Sequence, residues 1–294
     1  MTDYAFRLVN VFAAAPLAGN PLCVFEDARG LDDATMQALA LQFNLSETTF
    51  VLPSAVATAR VRIFTPAFEM PFAGHPTLGT AHVVRSLRGS GEALTLEMRA
   101  GCIAVRACGD VWTLAAHPPR HRPVAARPAG IAAMLGLGEA DLDPDPRRPP
   151  LWVDSGSEQL IVPLASVDAV RRAAPRADLM QAHAGDGQRA MAYVFADARQ
   201  PGDGAAQHVV ARFFFPKYGA VQEDPGTGSA CANLGGWLLA TGAPLPQRLT
   251  IRQGDAIGRP CRLHLDVTVD GAIEVSGRVV ELGRGHITLD APSR

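Results

Sequence analysis

The sequence predicts a β-rich protein with a few helices, arranged as a pseudo-symmetric pair of domains. Three observations lead to this prediction. Short apolar runs alternate with 28 glycines and 23 prolines, which punctuate the chain throughout. Two segments, Thr77–Leu87 and Ser229–Thr241, are apolar on nearly every side, which is typical of helices buried in a core. Finally, one pattern of residues recurs after about 150 positions.

The apolar runs predict strands in both halves of the chain. In the first half the predicted strands are Phe6–Phe12, Leu22–Phe25, Thr48–Leu52, Ala59–Phe64, Leu94–Met98, Ile103–Ala107 and Val111–Ala115. In the second half they are Gln159–Pro163, Ala192–Ala196, His208–Phe215, Arg248–Gln253, Arg262–Val269 and Ile273–Val279. A third helix is predicted up to Phe43, with Asp32 or Asp33 as its N-cap. Asn44 suits the left-handed position that ends it.

The internal repeat has two parts. Arg62–Pro66 is echoed by Arg212–Pro216, and His75–Ala81 is echoed by Asp224–Ala230. Each half therefore predicts a strand, a loop, a glycine-containing turn and a buried helix. Two copies favour a pair of similar domains over a solenoid, which needs several short repeats.

Domain boundaries are placed from proline-rich stretches. His117–Pro128 is predicted to be an interdomain linker, and Asp141–Pro150 an exposed loop. We predict an N-terminal domain over residues 1–118 and a C-terminal domain over 119–278. The tail, about 279–294, is expected to return to the first domain.

Composition excludes several functional classes. The net charge of −2 argues against a nucleic-acid or anionic-membrane partner. No apolar stretch approaches 18 residues, and the N-terminus makes a poor signal peptide, so a cytoplasmic protein is expected. Five cysteines without a CxxC pair, and eight histidines without HExxH spacing, predict neither disulfides nor a metal site. Neither a P-loop nor a dinucleotide fingerprint is present.

The repeated turns suggest where chemistry could occur. A glycine-bearing turn that opens onto a helix leaves backbone N–H groups unpaired, and these can bind a carboxylate or phosphate. A single such turn more often only shapes the backbone, but its recurrence favours a functional role. His75 and Asp224 take equivalent places in the repeat, as do Thr80 and Ser229. These side chains could hold polar groups of a substrate or shuttle a proton.

Glu47 is the remaining candidate, because it lies between a helix stop and an apolar strand. Such a glutamate is most often a solvated residue at a strand end. If it were partly buried among apolar neighbours, its pKa would rise towards working pH, as proton transfer requires.

Several ordered motifs make the chain resemble the phenazine-biosynthesis PhzF-like family. They are Pro16–Pro21, Asn44–Phe50, Pro71–Thr77, Glu223–Ala230 and the segment from Gln253 to Pro260. The resemblance covers essentially the whole chain. It implies an α/β (α+β) protein with the diaminopimelate-epimerase-like fold, in which each of two similar domains wraps a sheet around a central helix. The active site of that fold lies between the domains.

The resemblance also implies roles for individual residues. Glu47 corresponds to the acid/base residue of the family, with His75 and Asp224 completing the catalytic set. Substrate binding is expected at Gly74 and at the turn formed by Thr227, Gly228 and Ser229. Family members are commonly homodimers and need no metal or organic cofactor.

One departure from related enzymes bears on mechanism. In the two-cysteine epimerases of this fold a thiol precedes each turn, whereas Ala73 and Pro225 are the matching residues here. Cys231 lies farther along its helix and is expected to pack rather than react. Gly226 stands where alanine is usual in the PhzF-like family.

These features predict a cofactor-independent isomerase that moves a proton within a small carboxylate substrate. Glu47 would remove the proton and return it to another carbon on the same face. Two alternatives stay open: an epimerase or dehydratase acting on a modified amino acid, and a non-catalytic protein that binds a small molecule.

Overall fold

A computed structural model describes residues 1–185, 189–198, 207–217 and 219–289. The chain divides into two compact units. Unit 1 comprises Met1–Leu114 and the segment that starts at Ser276, and unit 2 comprises Ala115–Val275.

Strands make up more of both units than helices do. In chain order they are β1 (Thr2–Val11), β2 (Asn20–Phe25), β3 (Glu47–Leu52), β4 (Ala59–Phe64), β5 (Glu69–Met70), β6 (Ala93–Met98), β7 (Gly101–Cys108), β8 (Val111–Ala115), β9 (Arg120–Pro123), β10 (Leu151–Asp154), β11 (Glu158–Pro163), β12 (Ala192–Asp197), β13 (Gln207–Lys217), β14 (Ala220–Asp224), β15 (Gln247–Gln253), β16 (Cys261–Val267) and β17 (Ile273–Leu289). Each of the thirteen predicted strands overlaps one of these, whereas the sequence did not predict β5, β9, β10 and β14.

The helices are α1 (Asp33–Phe43), α2 (Gly74–Arg88), α3 (Pro128–Met134), α4 (Val167–Arg172), α5 (Ala177–His183) and α6 (Gly228–Ala240). The caps predicted for α1 are present: the Asp32 side chain accepts a hydrogen bond from the Thr35 N–H, and Asn44 is left-handed. The two buried helices, α2 and α6, begin three residues and one residue earlier than predicted.

In unit 1, β1 pairs with β2 antiparallel and β2 pairs with β3 parallel. Next, β4 pairs with β3 and β5 antiparallel and with β6 parallel, and β7 lies between β6 and β8. The C-terminal part of β17 returns along β1, with Val279 opposite Val11 and Leu289 opposite Thr2. Helix α2 packs against β1, β2, β3, β4 and β6.

Unit 2 repeats this order of pairings. Strands β10 and β11 are antiparallel, β11 and β12 parallel, and β12 and β13 antiparallel. As β4 does in unit 1, β13 pairs with a hairpin partner, β14, and runs parallel to β15, which pairs with β16. Helix α6 packs against β9, β10, β11 and β16. The prediction of two similar α+β halves, each with a sheet around one buried helix, is confirmed.

The predicted linker needs correction. Within His117–Pro128, strand β9 pairs antiparallel with β10, and Pro128 begins α3. This stretch therefore contributes secondary structure to unit 2. Its prolines do not prevent pairing, because Pro123 is the last residue of β9 and the others lie outside the strand.

Equivalent ion pairs mark the central hairpin of each unit. Arg62 of β4 binds Glu69 of β5, seven residues away, and Arg212 of β13 binds Glu223 of β14, eleven residues away. The second hairpin is thus four residues longer than the first. Residues that follow the hairpins therefore correspond with an offset of 154 rather than 150.

Among the described residues, no helix is both long enough and apolar enough to cross a membrane.

Candidate functional site

The alternation of side chains along β3 determines which face of the strand carries Glu47. Phe50 is fully buried in a cluster with Met36 and Leu39 of α1. One residue earlier, the hydroxyl groups of Thr49 and Thr80 are 2.8 Å apart, so Thr49 faces α2. Because strand side chains alternate between faces, Glu47 shares the face of Thr49 and points towards α2.

Glu47 and His75 are brought together in unit 1. Glu47 Oε2 lies 3.4 Å from His75 Nε2, and the two side chains are 15% and 7% exposed. Burial lowers the pKa of His75 to about 3, against the opposing effect of a hydrogen bond with the Pro21 backbone. At neutral pH the contact therefore joins a carboxyl group to an uncharged imidazole. The other ring nitrogen, Nδ1, lies 3.4 Å from Asn20 Nδ2.

The first turn of α2 carries His75 close to the sheet. Gly74 is the first residue of the helix, and Ala73 precedes it in an extended conformation with no side-chain cap. One turn later, a Cβ on Gly79 would lie 2.6 Å from Leu22 Cδ2 and 2.9 Å from Val11 Cγ2. Glycine at this position therefore lets α2 approach β1 and β2 closely.

In unit 2, Asp224 and Thr227 form a turn held by Gln253. The Thr227 hydroxyl donates to Asp224 Oδ2. Gln253, which is 1% exposed, donates through Nε2 to the Asp224 carbonyl (2.9 Å) and to Thr227 Oγ1 (3.0 Å). Its Oε1 accepts from the Thr227 N–H at 3.3 Å. Gln253 belongs to a motif shared with the PhzF-like family but was not predicted as a site residue.

The residue after Gln253 must be a glycine, Gly254, for two reasons. Its φ is +80°, and a Cβ there would lie 2.5 Å from the Pro225 carbonyl oxygen and close to that of Arg259. The end of β15 can therefore approach the Asp224–Thr227 turn only without a side chain at this position.

Ser229 lies in the first turn of α6, which begins at Gly228 with Thr227 as N-cap. Its Oγ accepts a hydrogen bond from Gln159 Nε2 at 2.9 Å. Gln159 in turn accepts one from Asn233 Nδ2 at 3.0 Å. Neither amide was predicted as a site residue, because no local pattern marks residues that meet across seventy or more positions.

The structure corrects the predicted equivalence of His75 with Asp224 and of Thr80 with Ser229. His75 is the second residue of α2, and Ser229 is the second residue of α6. Asp224 instead lies opposite Phe213 in its hairpin, as Met70 lies opposite Ile63 in the other. The four additional residues of the second hairpin cause the difference.

The same shift changes the comparison with the two-cysteine enzymes. The N-cap residues of the two helices are Ala73 and Thr227, so Thr227 rather than Pro225 matches Ala73. Neither N-cap residue is a cysteine. Cys231 is fully buried, and burial raises the pKa of its thiol well above the ordinary value, so it packs as an uncharged side chain.

Strand register also identifies the counterpart of Glu47. Thr48 lies opposite Phe64 in unit 1, and Ala192 lies opposite Phe214 in unit 2. The residue before Ala192 is Met191, so unit 2 has no acid where unit 1 has Glu47. Among the described residues, no group of three or more His, Cys, Asp or Glu side chains is arranged to hold a metal ion.

Comparison with known proteins agrees with this architecture. The PhzC-PhzF family model, described as phenazine biosynthesis-like protein, matches residues 9–285. A phenazine biosynthesis protein of the PhzF family from Bacillus anthracis superimposes with a TM-score of 0.86 at 26% identity, covering 98% of this chain and 100% of that one.

Curated relatives are similar over their full length. An uncharacterized isomerase of Pasteurella multocida is 38% identical over 98% of this chain and 95% of its own. The trans-2,3-dihydro-3-hydroxyanthranilate isomerase of Pseudomonas aeruginosa is 35% identical over 97% of this chain and 100% of its own. Full-length similarity to named isomerases shows that the chain is an isomerase, and it belongs to the PhzC-PhzF family of phenazine biosynthesis-like proteins.

Proposed function

We propose that this isomerase moves a proton within a small cyclic carboxylate, with Glu47 as the group that removes and returns it. The observation that carries the proposal is the 3.4 Å contact between Glu47 Oε2 and Nε2 of a buried, uncharged His75. Because His75 is uncharged, this contact can hold the carboxyl group in place without itself adding a positive charge that would favour the ionised form. Glu47 is also 15% exposed, so it is accessible to a substrate.

The proposed reaction is balanced without any other reactant. The Glu47 carboxylate takes a proton from a carbon next to an unsaturated or carbonyl group, and the electron pair left behind spreads into that group. Protonated Glu47 then delivers the proton to a different carbon of the same system. The double bond has moved and the substrate keeps its formula, so the step requires neither oxidant nor reductant and the proposal includes no cofactor.

A single acid suits this kind of shift. Proton removal and return by one carboxyl group take place on one face of the substrate, whereas inversion of a carbon normally requires acids on both faces. Because Met191 takes the place of an acid in unit 2, the pair of units supplies one Glu at this position rather than two.

Unit 2 supplies polar groups suited to binding. The N-terminus of α6 presents backbone N–H groups beside the Ser229 hydroxyl, a combination that favours a carboxylate. Asp224, held by Thr227, would orient a hydroxyl or amino group of the substrate. We propose that Gly74 at the start of α2, and Thr227 and Gly228 at the start of α6, form the backbone of the binding turns.

The first substrate to test is trans-2,3-dihydro-3-hydroxyanthranilate, which the name of the Pseudomonas aeruginosa relative gives. This compound and a panel of cyclic dienes and hydroxylated amino acids would be incubated with the protein in D2O. Deuterium incorporation and product structure would be followed by mass spectrometry and NMR. We expect double-bond migration in one of these compounds, with deuterium incorporated to the extent that protonated Glu47 exchanges with solvent before it returns the proton.

Glu47→Gln keeps the size of the side chain and removes its acid. We expect this variant to fold and to lose exchange by a factor of about 10² or more. Glu97→Gln is the matched control, since it changes a partly buried glutamate of the same unit that binds Ser54, and it should keep wild-type exchange. Wild-type exchange by Glu47→Gln would refute the proposal.

The same experiment separates the alternatives. Exchange with inversion at one carbon would identify an epimerase, and loss of water would identify a dehydratase. Ligand binding that is unchanged in Glu47→Gln, together with neither exchange nor a changed product by wild type on any compound, would show that none of these compounds is the substrate.

A further inference from the structure

Two buried amide side chains, Gln159 and Asn233, link Ser229 to the backbone of the loop between β10 and β11. Gln159 is 1% exposed, and Asn233 is fully buried. An amide oxygen and nitrogen differ in what they accept or donate, so the direction of each hydrogen bond in such a chain can be worked out from a fixed end.

The fixed end of these hydrogen bonds is formed by backbone groups. The Ser155 N–H, which can only donate, lies 2.8 Å from Asn233 Oδ1. The Ser157 carbonyl, which can only accept, lies 2.8 Å from Asn233 Nδ2. These two contacts allow only one orientation of the Asn233 amide, with its nitrogen also facing Gln159.

That orientation fixes the next amide. Asn233 Nδ2 donates to Gln159 Oε1 at 3.0 Å, which leaves Gln159 Nε2 facing Ser229 Oγ at 2.9 Å. Ser229 must accept this bond. Its own hydrogen therefore points elsewhere, and among the described residues its hydroxyl has no acceptor. Ser229 is partly exposed, so that hydrogen is available to a ligand.

We infer that Gln159 and Asn233 are positioning residues that hold the Ser229 hydroxyl as a hydrogen-bond donor and thereby make the site select a carboxylate over the corresponding carboxamide. This inference rests on the proposed function only in assigning Ser229 to the substrate's carboxylate. A donor fixed before binding does not have to reorient when the ligand arrives, and its bond to a charged oxygen is stronger than a neutral one. A carboxamide has a single acceptor oxygen, so whichever way it turns, its NH2 group meets a donor, either Ser229 or the backbone N–H groups at the start of α6.

A variant that reverses the hydrogen bond between Gln159 and Ser229 tests this inference. In Gln159→Glu a carboxylate replaces the amide, accepts from Asn233 and also accepts from Ser229. The Ser229 hydrogen then turns away from the ligand, and its oxygen becomes an acceptor. Gln159→Met removes the donor without adding charge and leaves the hydroxyl free to rotate.

The probes are 3-hydroxyanthranilate and its primary carboxamide, and binding is measured by isothermal titration calorimetry. We expect wild type to prefer the carboxylate by about tenfold or more. Gln159→Glu should abolish or invert this preference, and Gln159→Met should give an intermediate value. Gln222→Glu, which adds the same charge on an exposed side chain of β14, should keep the wild-type preference.

A double-mutant cycle with Ser229→Ala separates the effect of the hydrogen-bond direction from the effect of the charge that Gln159→Glu adds. If Gln159→Glu acts through Ser229, it should change the preference little once the hydroxyl is gone. If the two substitutions lower the carboxylate preference additively, Gln159→Glu acts by simple charge repulsion and the inference is overturned. It is also overturned if wild type binds neither probe, or binds both equally. If Gln159→Glu does not fold, an unchanged preference in Gln159→Met overturns it. Binding requires no turnover, so failure of the proposed proton transfer is detected separately by deuterium exchange.

Discussion

Replacing Gly254 by alanine should displace the Asp224–Thr227 turn, and the chain offers a matched control. Gly254 and Gly258 flank the same short turn and have φ values of +80° and +68°. A Cβ on Gly254 would lie 2.5 Å from the Pro225 carbonyl oxygen, whereas a Cβ on Gly258 would have no neighbour within 4 Å. The two variants therefore share the backbone strain and differ in the clash.

The magnitudes follow from these distances. Alanine in the left-handed region costs roughly 1–2 kcal/mol, and this is the whole expected loss of unfolding free energy for Gly258→Ala. Gly254→Ala must in addition move the Pro225 backbone by about 0.9 Å to reach the 3.4 Å at which ordinary contacts begin. Such overpacking costs about 1–3 kcal/mol, so the total is roughly 2–5 kcal/mol. A misplacement of about 1 Å can lower turnover about 10²-fold.

Urea unfolding would give the two free energies, and isomerase turnover would be measured on the folded fraction of each variant. We expect Gly254→Ala to be the less stable variant and to lose most of its turnover, while Gly258→Ala keeps it. Equal losses of stability, or wild-type turnover in folded Gly254→Ala, would refute the argument that this close approach sets the position of Asp224.

Two further predictions concern unit 1. Gly79→Ala should lower the unfolding free energy by about 1–3 kcal/mol, because its Cβ would overlap Leu22. Leu22→Ala should then lower the unfolding free energy less in the Gly79→Ala background than in wild type. Calorimetry of wild type, the two single variants and the double variant would show both effects. Between pH about 6.5 and about 3 the unfolded chain protonates His75 and the folded chain does not, so stability falls as pH falls. His75→Gln removes this contribution, and its unfolding free energy should fall less steeply between pH 6 and 4.5, by up to about 1.4 kcal/mol per pH unit.

Local signals were enough to predict much of the fold. The Asp32 and Asn44 caps of α1 act within one turn, so the residues alone indicate where that helix starts and stops. Apolar residues on nearly every side of α2 and α6 likewise identify them as buried helices. Strands β9 and β10 were missed because proline-rich flanks resemble a linker, and only pairing in the fold, of β9 with β10 and of β10 with β11, shows that they are strands.

The site was harder to predict than the fold. Pro76 and Pro225 align in the sequence repeat, but Pro76 lies in the first turn of α2 and Pro225 precedes α6 by three residues. A proline fits both places, since the first turn of a helix does not need its N–H and a turn before a helix does not need it either. Sequence likeness therefore gave the wrong register, which the ion pairs of Arg62 and Arg212 correct.

With the corrected register, the two units differ at three positions whose side chains bear on the chemistry. Unit 1 has Glu47, His75 and Met70 where unit 2 has Met191, Ser229 and Asp224. One copy of the repeat therefore places an acid beside an uncharged imidazole, and the other presents a hydroxyl donor and a carboxylate at the start of a helix. A symmetric pair of acids would suit inversion at one carbon. The corrected register thus agrees with the proposal that Glu47 alone moves the proton, because one acid can take a proton from one carbon and return it to another on the same face of a substrate.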